Sequence, residues 1–208
     1  DVESEINGMG PVIRKEDLEL LYEQLDTLKD DDVLVLAGSI PSGMPQSIYR
    51  DIMSRLQSKR IKIAVDATKD LLMNVLAYHP FVIKPNNHEL SEIFDIMIDS
   101  KEKAVVYAKE LQKKGAQNVI VSMAGEGAVF VGSDGSVFTS EAPHGVVKNS
   151  VGAGDSMVAG FLAGYLAKGD YAEAFKMGLC TGSASAFSDQ LATREEVEQV
   201  RRSHIFDF

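Results

Sequence analysis

Cysteine, basic residues and long apolar runs are all scarce in this 208-residue sequence. Its one cysteine, Cys180, excludes an internal disulfide bond and any metal site built from several cysteines. Lysine and arginine number 21 against 31 aspartates and glutamates, and the net charge of −10 argues against a protein that grips nucleic-acid phosphates. The longest apolar stretch, residues 157–167, is well short of the roughly 20 residues that span a bilayer. We therefore expect a cytoplasmic protein with no nucleic-acid partner and no membrane association.

Several common catalytic motifs are also missing. The sequence has no Gly-x-x-x-x-Gly-Lys-[Ser/Thr] loop, no Gly-x-Ser-x-Gly elbow and no His-Glu-x-x-His zinc pattern. It also lacks a Gly-x-Gly-x-x-Gly fingerprint after a first strand, which argues against a dinucleotide-binding domain. Cys180 stands among small residues in a predicted helix, so we interpret it as a packing residue rather than a nucleophile.

Short β-branched runs alternate with amphipathic segments along the first part of the sequence. The runs are bounded by turn residues, as the buried strands of parallel sheets are. The predicted strands are residues 33–37, 61–65, 81–84 and 118–122, and the predicted helices are residues 15–28, 46–58, 70–77, 88–97 and 101–114. This order predicts an α/β fold, with a mostly parallel sheet and crossover helices.

The pattern changes after residue 127. Residues 128–131 and 136–139 flank Ser133-Asp134-Gly135, and Asp-Gly at this spacing indicates an antiparallel hairpin at the sheet edge. Two helices rich in small residues, over about 155–168 and 170–188, and a short one over 194–201 complete the chain. No repeat or linker interrupts the pattern, so we expect residues 1–208 to form one α/β domain.

The strongest local signal is the segment Asn149-Ser-Val-Gly-Ala-Gly-Asp-Ser156, which runs directly into a predicted helix. Gly152 and Gly154 let the backbone approach a ligand, and the free N–H groups and dipole of a helix start favour a phosphate or a developing anion. Asp155 is placed to accept a proton from a substrate hydroxyl. Alternatively, the glycines form a turn and Asp155 caps the helix. Taken alone, the segment supports both interpretations equally.

A second motif, Lys84-Pro-Asn-Asn-His-Glu89, follows a predicted strand at the sheet edge where ligands bind in parallel sheets. Asn86 and Glu89 are three residues apart and share a face if a helix starts there. An amide and a carboxylate suit a hydrated Mg²⁺ beside phosphates. The alternative is a helix cap made by Asn86 and Glu89, which we would favour if this motif stood alone.

Two further loops follow predicted strands at the same edge. They are the glycine-rich turn over residues 122–127 and the loop over residues 38–43. Each is weak evidence alone because glycine turns are common. Four such loops converging on one cleft are harder to explain as packing, and together they predict phosphoryl transfer to an alcohol.

In this combination the motifs resemble those of the ribokinase-like carbohydrate kinases, also called the phosphofructokinase-B family. Residues 152–155 match the family's C-terminal signature, Asn86-x-x-Glu89 its metal-and-phosphate motif and residues 122–127 its nucleotide loop. The opening segment over residues 3–11, with Gly38-Ser-Ile-Pro41, resembles the branch of 1-phosphofructokinases and tagatose-6-phosphate kinases. The resemblance implies a three-layer α-β-α fold, of which this chain holds the C-terminal portion.

The same resemblance implies a role for each matched residue. Asp155 would be the catalytic base and the backbone of Gly152, Ala153 and Gly154 the anion hole. The implied ATP contacts are Asn86, Ser122, Gly125, Gly127, Gly154 and Ala184, the implied sugar-phosphate contacts are Gly38, Ser39 and Asp155, and Glu89 would hold Mg²⁺ through water. The implied reaction converts ATP and fructose 1-phosphate into ADP and fructose 1,6-bisphosphate. Use of a monovalent cation stays open, because an acid that holds it in the family appears here as Asn149.

Family members begin with roughly another hundred residues, which is most of a small domain. The resemblance therefore implies that this chain lacks the N-terminal third, with its first strands, its lid and much of the sugar pocket. We expect an exposed sheet edge or apolar patch that favours self-association, for example as a homodimer, and loss of turnover by the isolated chain. Two alternatives remain: a kinase for tagatose 6-phosphate or another sugar, nucleoside or vitamin, and a nucleotide-binding module without catalysis. Asp155 favours catalysis, because a pure binder needs no carboxylate beside phosphates.

Overall fold

The computed structural model, which describes residues 10–41 and 43–208, contains a six-stranded sheet in the order β1-β2-β3-β4-β5-β6. Its strands are β1 (Val33–Ala37), β2 (Lys62–Asp66), β3 (Val82–Ile83), β4 (Asn118–Ser122), β5 (Ala128–Val131) and β6 (Val137–Ser140). Strands β1 to β4 are parallel, whereas β5 is antiparallel to both β4 and β6. The predicted parallel sheet with an antiparallel hairpin at its edge is thus confirmed.

Eight α-helices surround the sheet in the described part of the chain. They are α1 (Lys15–Asp26), α2 (Ile48–Leu56), α3 (Lys69–Met73), α4 (Asn87–Phe94), α5 (Lys101–Lys113), α6 (Ala153–Lys168), α7 (Tyr171–Phe187) and α8 (Arg194–Ser203). The helix predicted over residues 70–77 is the short α3 followed by a 3₁₀ turn, Leu76–Tyr78. Helix α4 ends three residues earlier than predicted because Asp95 adopts a left-handed conformation, as residues just beyond a helix often do.

Alternate residues of each strand contribute to different helical layers. On β2, Ile63 and Val65 belong to the core that α1 to α5 cover, whereas Ala64 packs with α6 and α7. On β5, Val129 likewise belongs to the core under α1 to α5, and Phe130 packs with α6 and α7. Because successive strand side chains point to opposite faces, the sheet is the middle layer of a three-layer α-β-α fold.

Strand β1 lies at one edge of the sheet, where β2 is its neighbour among the described residues. Its residue Val35 is 47% exposed. In the residues that the structure describes, no helix combines the length and the apolar character that a membrane crossing requires.

Candidate active site

The carboxyl ends of the parallel strands bring polar residues together along one edge of the sheet. Asp66 is the last residue of β2, and Lys84 directly follows β3. Ser122 ends β4 and forms an isolated parallel bridge with Asn86. The loops after β3 and β4 therefore leave the sheet side by side, at the edge where parallel α/β proteins bind ligands.

A cleft of about 330 Å³ opens at this edge. One wall is formed by the first two turns of α6, and the other by the ends of β1 and β2. The lining residues are Val35, Ala37, Gly38, Asp66, Asp155, Val158 and Ala159. The loop after β1 is held in place by the Tyr49 hydroxyl, which donates to the carbonyl oxygens of Ala37 at 2.6 Å and Gly38 at 3.1 Å. Asp155, which the sequence singles out, thus shares one cleft with Gly38 and Asp66.

Asp66 and Lys84 form an ion pair at the floor of the site. Lys84 Nζ lies 3.1 Å from Asp66 Oδ2, and the two side chains are 8% and 18% exposed. Burial raises the pKa of Asp66 above its usual value, the ammonium of Lys84 opposes that rise, and the nearby charge of Asp155 adds to it. The Asp66 carboxylate is therefore within electrostatic reach of both the Lys84 ammonium and the Asp155 carboxylate.

The ammonium of Lys84 also lies against the first turn of α6. A Cβ placed on Gly154 would stand 3.1 Å from Lys84 Nζ and 3.5 Å from its Cε. A glycine at this position therefore allows a cation and the N-terminus of a helix to approach each other. Both carry positive potential, so their close approach favours an anion between them.

Helix α6 begins at Ala153, with Gly152 as its N-cap in a left-handed conformation at φ +79°. A Cβ on Gly152 would lie 2.8 Å from Leu191 Cδ2. The position thus favours glycine for its backbone conformation, whereas the 66% exposed Leu191 side chain can move aside. Asp155 is the third residue of the helix and is exposed, and the cap residue is Gly152. The alternative interpretation of Asp155 as the helix cap is therefore wrong.

Asn86 and Glu89 form a reciprocal capping box at the start of α4. The Glu89 N–H donates to Asn86 Oδ1 at 2.8 Å, and the Asn86 N–H donates to Glu89 Oε2 at 2.8 Å. Burial raises the pKa of Glu89; the Asn86 N–H and Lys84 oppose the rise, and Asp66 contributes to it. The capping geometry is thus present, and the same carboxylate is electrostatically coupled to the Asp66–Lys84 pair.

The predicted nucleotide loop lies between β4 and β5. Gly125 is exposed with open space around it, within a 3₁₀ turn, Ala124–Glu126. Gly127 is buried at φ +90°, and a Cβ there would lie 2.0 Å from the Ser140 carbonyl oxygen. Packing against β6 explains Gly127 by itself, whereas Gly125 and the half-buried Ser122 leave polar backbone and side-chain groups accessible.

Ala184, Ser39 and Asn149 are not among the residues that line the cleft. Ala184 is 1% exposed and packs with Cys180 and Val197 between α7 and α8, so its side chain has no free face for a nucleotide. Ser39 is exposed beside Gly38. Asn149 Oδ1 accepts the Val151 N–H at 3.0 Å. Residue 42 and residues 3–9 of the opening segment lie outside the described residues.

Asp66 and Lys84 are the site residues that sequence reasoning missed. Each is a charged residue at the end of a buried apolar strand, and that placement is the signal that could have identified them. Lys84 was within a motif already singled out, but its ion pair depends on a residue in a neighbouring strand.

The oxygen donors at this edge suit a hydrated cation. Asn86, Glu89 and Asp66 offer an amide and two carboxylates, the donor types that Mg²⁺ accepts while keeping several waters and sharing phosphate oxygens. In residues 10–41 and 43–208, no group of three or more His, Cys, Asp or Glu side chains is arranged to hold a metal ion. The donor set therefore fits a Mg²⁺ that is held together with phosphates.

Comparison with known proteins agrees with this geometry. The sequence pattern of the pfkB family carbohydrate kinases matches residues 1–196. A Bacillus subtilis 1-phosphofructokinase is 45% identical over 198 residues, which are 95% of this chain and 65% of that protein. A Bacillus licheniformis D-tagatose-1-phosphate kinase is 28% identical over 95% of this chain and 65% of its own. A crystal structure of a Staphylococcus aureus protein assigned as a phosphofructokinase superposes with a TM-score of 0.89 at 38% identity, covering 97% of this chain and 66% of that one.

The chain thus spans about two thirds of the length of these relatives. Within that span, the match includes the sheet edge, the start of α6 and the loops that line the cleft. Because the family pattern covers nearly all of the sequence and a relative is 45% identical along it, this chain belongs to the pfkB family of carbohydrate kinases.

Proposed function

We propose that this chain carries the nucleotide-binding and catalytic part of an ATP-dependent hexose-phosphate kinase. The acceptor is fructose 1-phosphate, and the product is fructose 1,6-bisphosphate. One observation carries the proposal: Asp155 shares a cleft with Asp66, whose carboxylate pairs with the buried Lys84 ammonium beside the first turn of α6. The 1-phosphofructokinase relative at 45% identity supports the choice of acceptor.

In the proposed reaction, Asp155 accepts the proton of the sugar hydroxyl. The hydroxyl oxygen forms a bond to the γ-phosphorus while the bond between that phosphorus and ADP breaks. The N–H groups of Gly152, Ala153 and Gly154 stabilise the charge on the transferred phosphoryl group, and Lys84 adds a buried positive charge beside them. The Ala153 N–H donates to the Ser150 carbonyl oxygen at 3.1 Å and would have to exchange that acceptor for the phosphoryl group. Gly38 and Ser39 contact the sugar phosphate.

The nucleotide lies against the loops after β3 and β4 in this proposal. Asn86, Ser122 and Gly125 contact ATP, mainly through polar groups of the backbone and short side chains. The buried Gly127 shapes the same loop, where its N–H donates to the Ala124 carbonyl oxygen at 3.0 Å. Glu89 holds a hydrated Mg²⁺, which when bound neutralises part of the phosphate charge. Ala184 supports the adenine side from within the α7–α8 packing and does not touch the base. A cytoplasmic location and self-association as a homodimer complete the proposal.

Asp155→Asn tests the role of the base. Loss of a general base typically lowers kcat about 10²- to 10⁴-fold. The melting midpoint should stay close to that of the wild type because Asp155 is exposed. The measurement is ADP formation with fructose 1-phosphate. The protein assayed is the 208-residue chain if that chain is active, and otherwise this chain joined to the N-terminal third of the Bacillus subtilis relative. Asp99→Asn, at a remote exposed position, is the control. Wild-type turnover by Asp155→Asn would remove Asp155 from the mechanism.

Two further assays separate the competing functions. Calorimetry with Mg–ATP, with and without sugar phosphate, distinguishes a kinase from a module that only binds the nucleotide. Because a D-tagatose-1-phosphate kinase is also among the relatives, tagatose 1-phosphate and tagatose 6-phosphate are assayed beside fructose 1-phosphate. A higher kcat/KM for either tagatose phosphate would replace the proposed acceptor.

A further inference from the structure

Two buried serines join the first turn of α6 to the end of α7. Ser185 Oγ donates to Ser156 Oγ at 2.8 Å, and the Ala192 N–H donates to Ser185 Oγ at 3.1 Å. Ser156 is 8% exposed and Ser185 3% exposed. Buried hydroxyl groups are stable when they are hydrogen-bonded, and here the partners belong to three separate segments. The start of α6, the end of α7 and the loop after α7 are therefore linked through one side chain.

Neighbouring hydroxyl groups on α7 behave differently. Thr181 Oγ1 donates to the Met177 carbonyl oxygen at 2.8 Å, and Ser188 Oγ donates to the Ala184 carbonyl oxygen at 2.9 Å. Both bonds return to the same helix, which is the usual local solution for serine and threonine. The Ser188 side chain also hydrogen-bonds to Glu196 at the start of α8, but of these three hydroxyl groups only that of Ser185 bonds to α6.

The same junction has two further contacts. The Ala186 carbonyl oxygen accepts the N–H groups of Lys148 at 2.8 Å and Asn149 at 3.2 Å, just before α6. Leu191, in the loop after α7, packs so closely over Gly152 that a Cβ there would lie 2.8 Å from Leu191 Cδ2. The end of α7 and its following loop thus contact the segment that leads into α6.

Ser156 is the residue directly after Asp155, and its own N–H donates to the Gly152 carbonyl oxygen at 2.9 Å. A shift of the Ser156 side chain is therefore transmitted to the backbone of residues 152–155. That segment holds the base and the anion-binding N–H groups of the proposed reaction.

We infer that Ser185 is a positioning residue, whose hydroxyl holds the first turn of α6 in register with the loop over residues 188–193. The inference rests on the proposed function, because the positioned segment is the one that would receive the transferred phosphoryl group. Ser185 acts through Ser156 and does not itself reach the cleft.

Ser185→Ala in the 208-residue chain is the test, and Ser188→Ala is its matched control. Both changes remove one buried hydroxyl from the same end of α7, but only Ser185 is bonded to α6, whereas Ser188 is bonded to α7 and to Glu196 of α8. The first readout is hydrogen exchange of the Ser156 amide, which needs no ligand. We expect Ser185→Ala to accelerate that exchange about tenfold, the equivalent of one lost hydrogen bond, and Ser188→Ala to leave it unchanged.

The second readout is the dissociation constant for Mg–ATP, measured by calorimetry well below the melting midpoint. We expect about tenfold weaker binding for Ser185→Ala and wild-type binding for Ser188→Ala. Ser156→Ala should give an effect in the same direction, since it removes the acceptor of the same bond.

The outcomes separate the inference from the function on which it rests. Failure of the wild-type chain to bind Mg–ATP would refute the proposed function, while the exchange experiment would still decide the role of Ser185. Wild-type exchange at Ser156 in Ser185→Ala would overturn the inference. A lower melting midpoint with unchanged exchange and unchanged Mg–ATP affinity would also overturn it, because it would assign Ser185 to general packing. Equal effects of Ser185→Ala and Ser188→Ala would do the same.

Discussion

Removing one partner of the Asp66–Lys84 pair should destabilise the fold. Asp66→Asn leaves the ammonium of Lys84 in a site where the side chain is 8% exposed, 3.1 Å from a neutral amide. Loss of one partner of a buried ion pair costs about 3–5 kcal/mol. Because Asp66 is 18% exposed and water can reach the pair from that side, we place the cost at the lower end, about 3 kcal/mol.

For a chain of this size, about 3 kcal/mol corresponds to a fall of about 6–12 °C in the melting midpoint. Lys84→Met should cost less, about 1–2 kcal/mol, because the remaining carboxylate is nearer to solvent and can take up a proton. The double variant Asp66→Asn/Lys84→Met should be more stable than the sum of the two losses predicts, since neither charge is left alone.

Urea denaturation at neutral pH measures the losses in the single and double variants, with Asp99→Asn as the control. Asp99 pairs with Lys103 on the surface, where the side chains are 51% and 44% exposed, so its loss should leave the midpoint unchanged. Strict additivity of the Asp66 and Lys84 changes would refute the reasoning. So would an Asp66→Asn chain that melts together with the Asp99→Asn chain.

Two further predictions follow from glycine and cysteine positions. Gly127→Ala should lower the free energy of unfolding by at least about 2 kcal/mol, because the residue has φ +90° and its new Cβ would overlap the Ser140 carbonyl oxygen. Gly125→Ala, in open space, should change it by less than about 0.5 kcal/mol. Urea denaturation compares the two variants, and equal midpoints would contradict the packing explanation. Burial raises the pKa of Cys180 to about 12. The thiol should therefore react with a disulfide reagent at pH 8 only as fast as the chain unfolds. Rapid reaction of the folded chain would contradict its burial.

The elements of this fold are predictable from sequence because the apolar periodicity is unambiguous. Strands such as β4 are uniformly buried runs, and the Asp-Gly turn announces the hairpin of β5 and β6. The boundaries were less predictable where single residues adopt left-handed conformations, as Asp95 does at the end of α4. Such a backbone choice depends on the local surroundings and leaves little trace in composition.

Some residues of the candidate site could also be predicted from the sequence, and others could not. Residues 152–155 and the Asn86–Glu89 pair could be singled out because each motif is contiguous and follows a strand. The Asp66–Lys84 pair was missed because its partners stand on different strands and meet only through the parallel register of β2 and β3. The Ser156–Ser185 bond spans 29 residues and joins two helices, so no sequence window contains it.

Charge explains why these separately encoded parts belong together. Asp66, Glu89 and Asp155 place three carboxylates at an edge where Lys84 contributes one buried ammonium. Such a cluster would repel a polyphosphate if it acted alone. The N-terminus of α6 supplies further positive potential against Lys84, and a hydrated cation beside Glu89 would supply the remainder. In the proposed reaction, the carboxylate base can therefore work next to phosphates because a helix start, a buried lysine and a metal-compatible acid lie around it. These parts come from different motifs, so no single motif in this chain is sufficient evidence for the proposed chemistry.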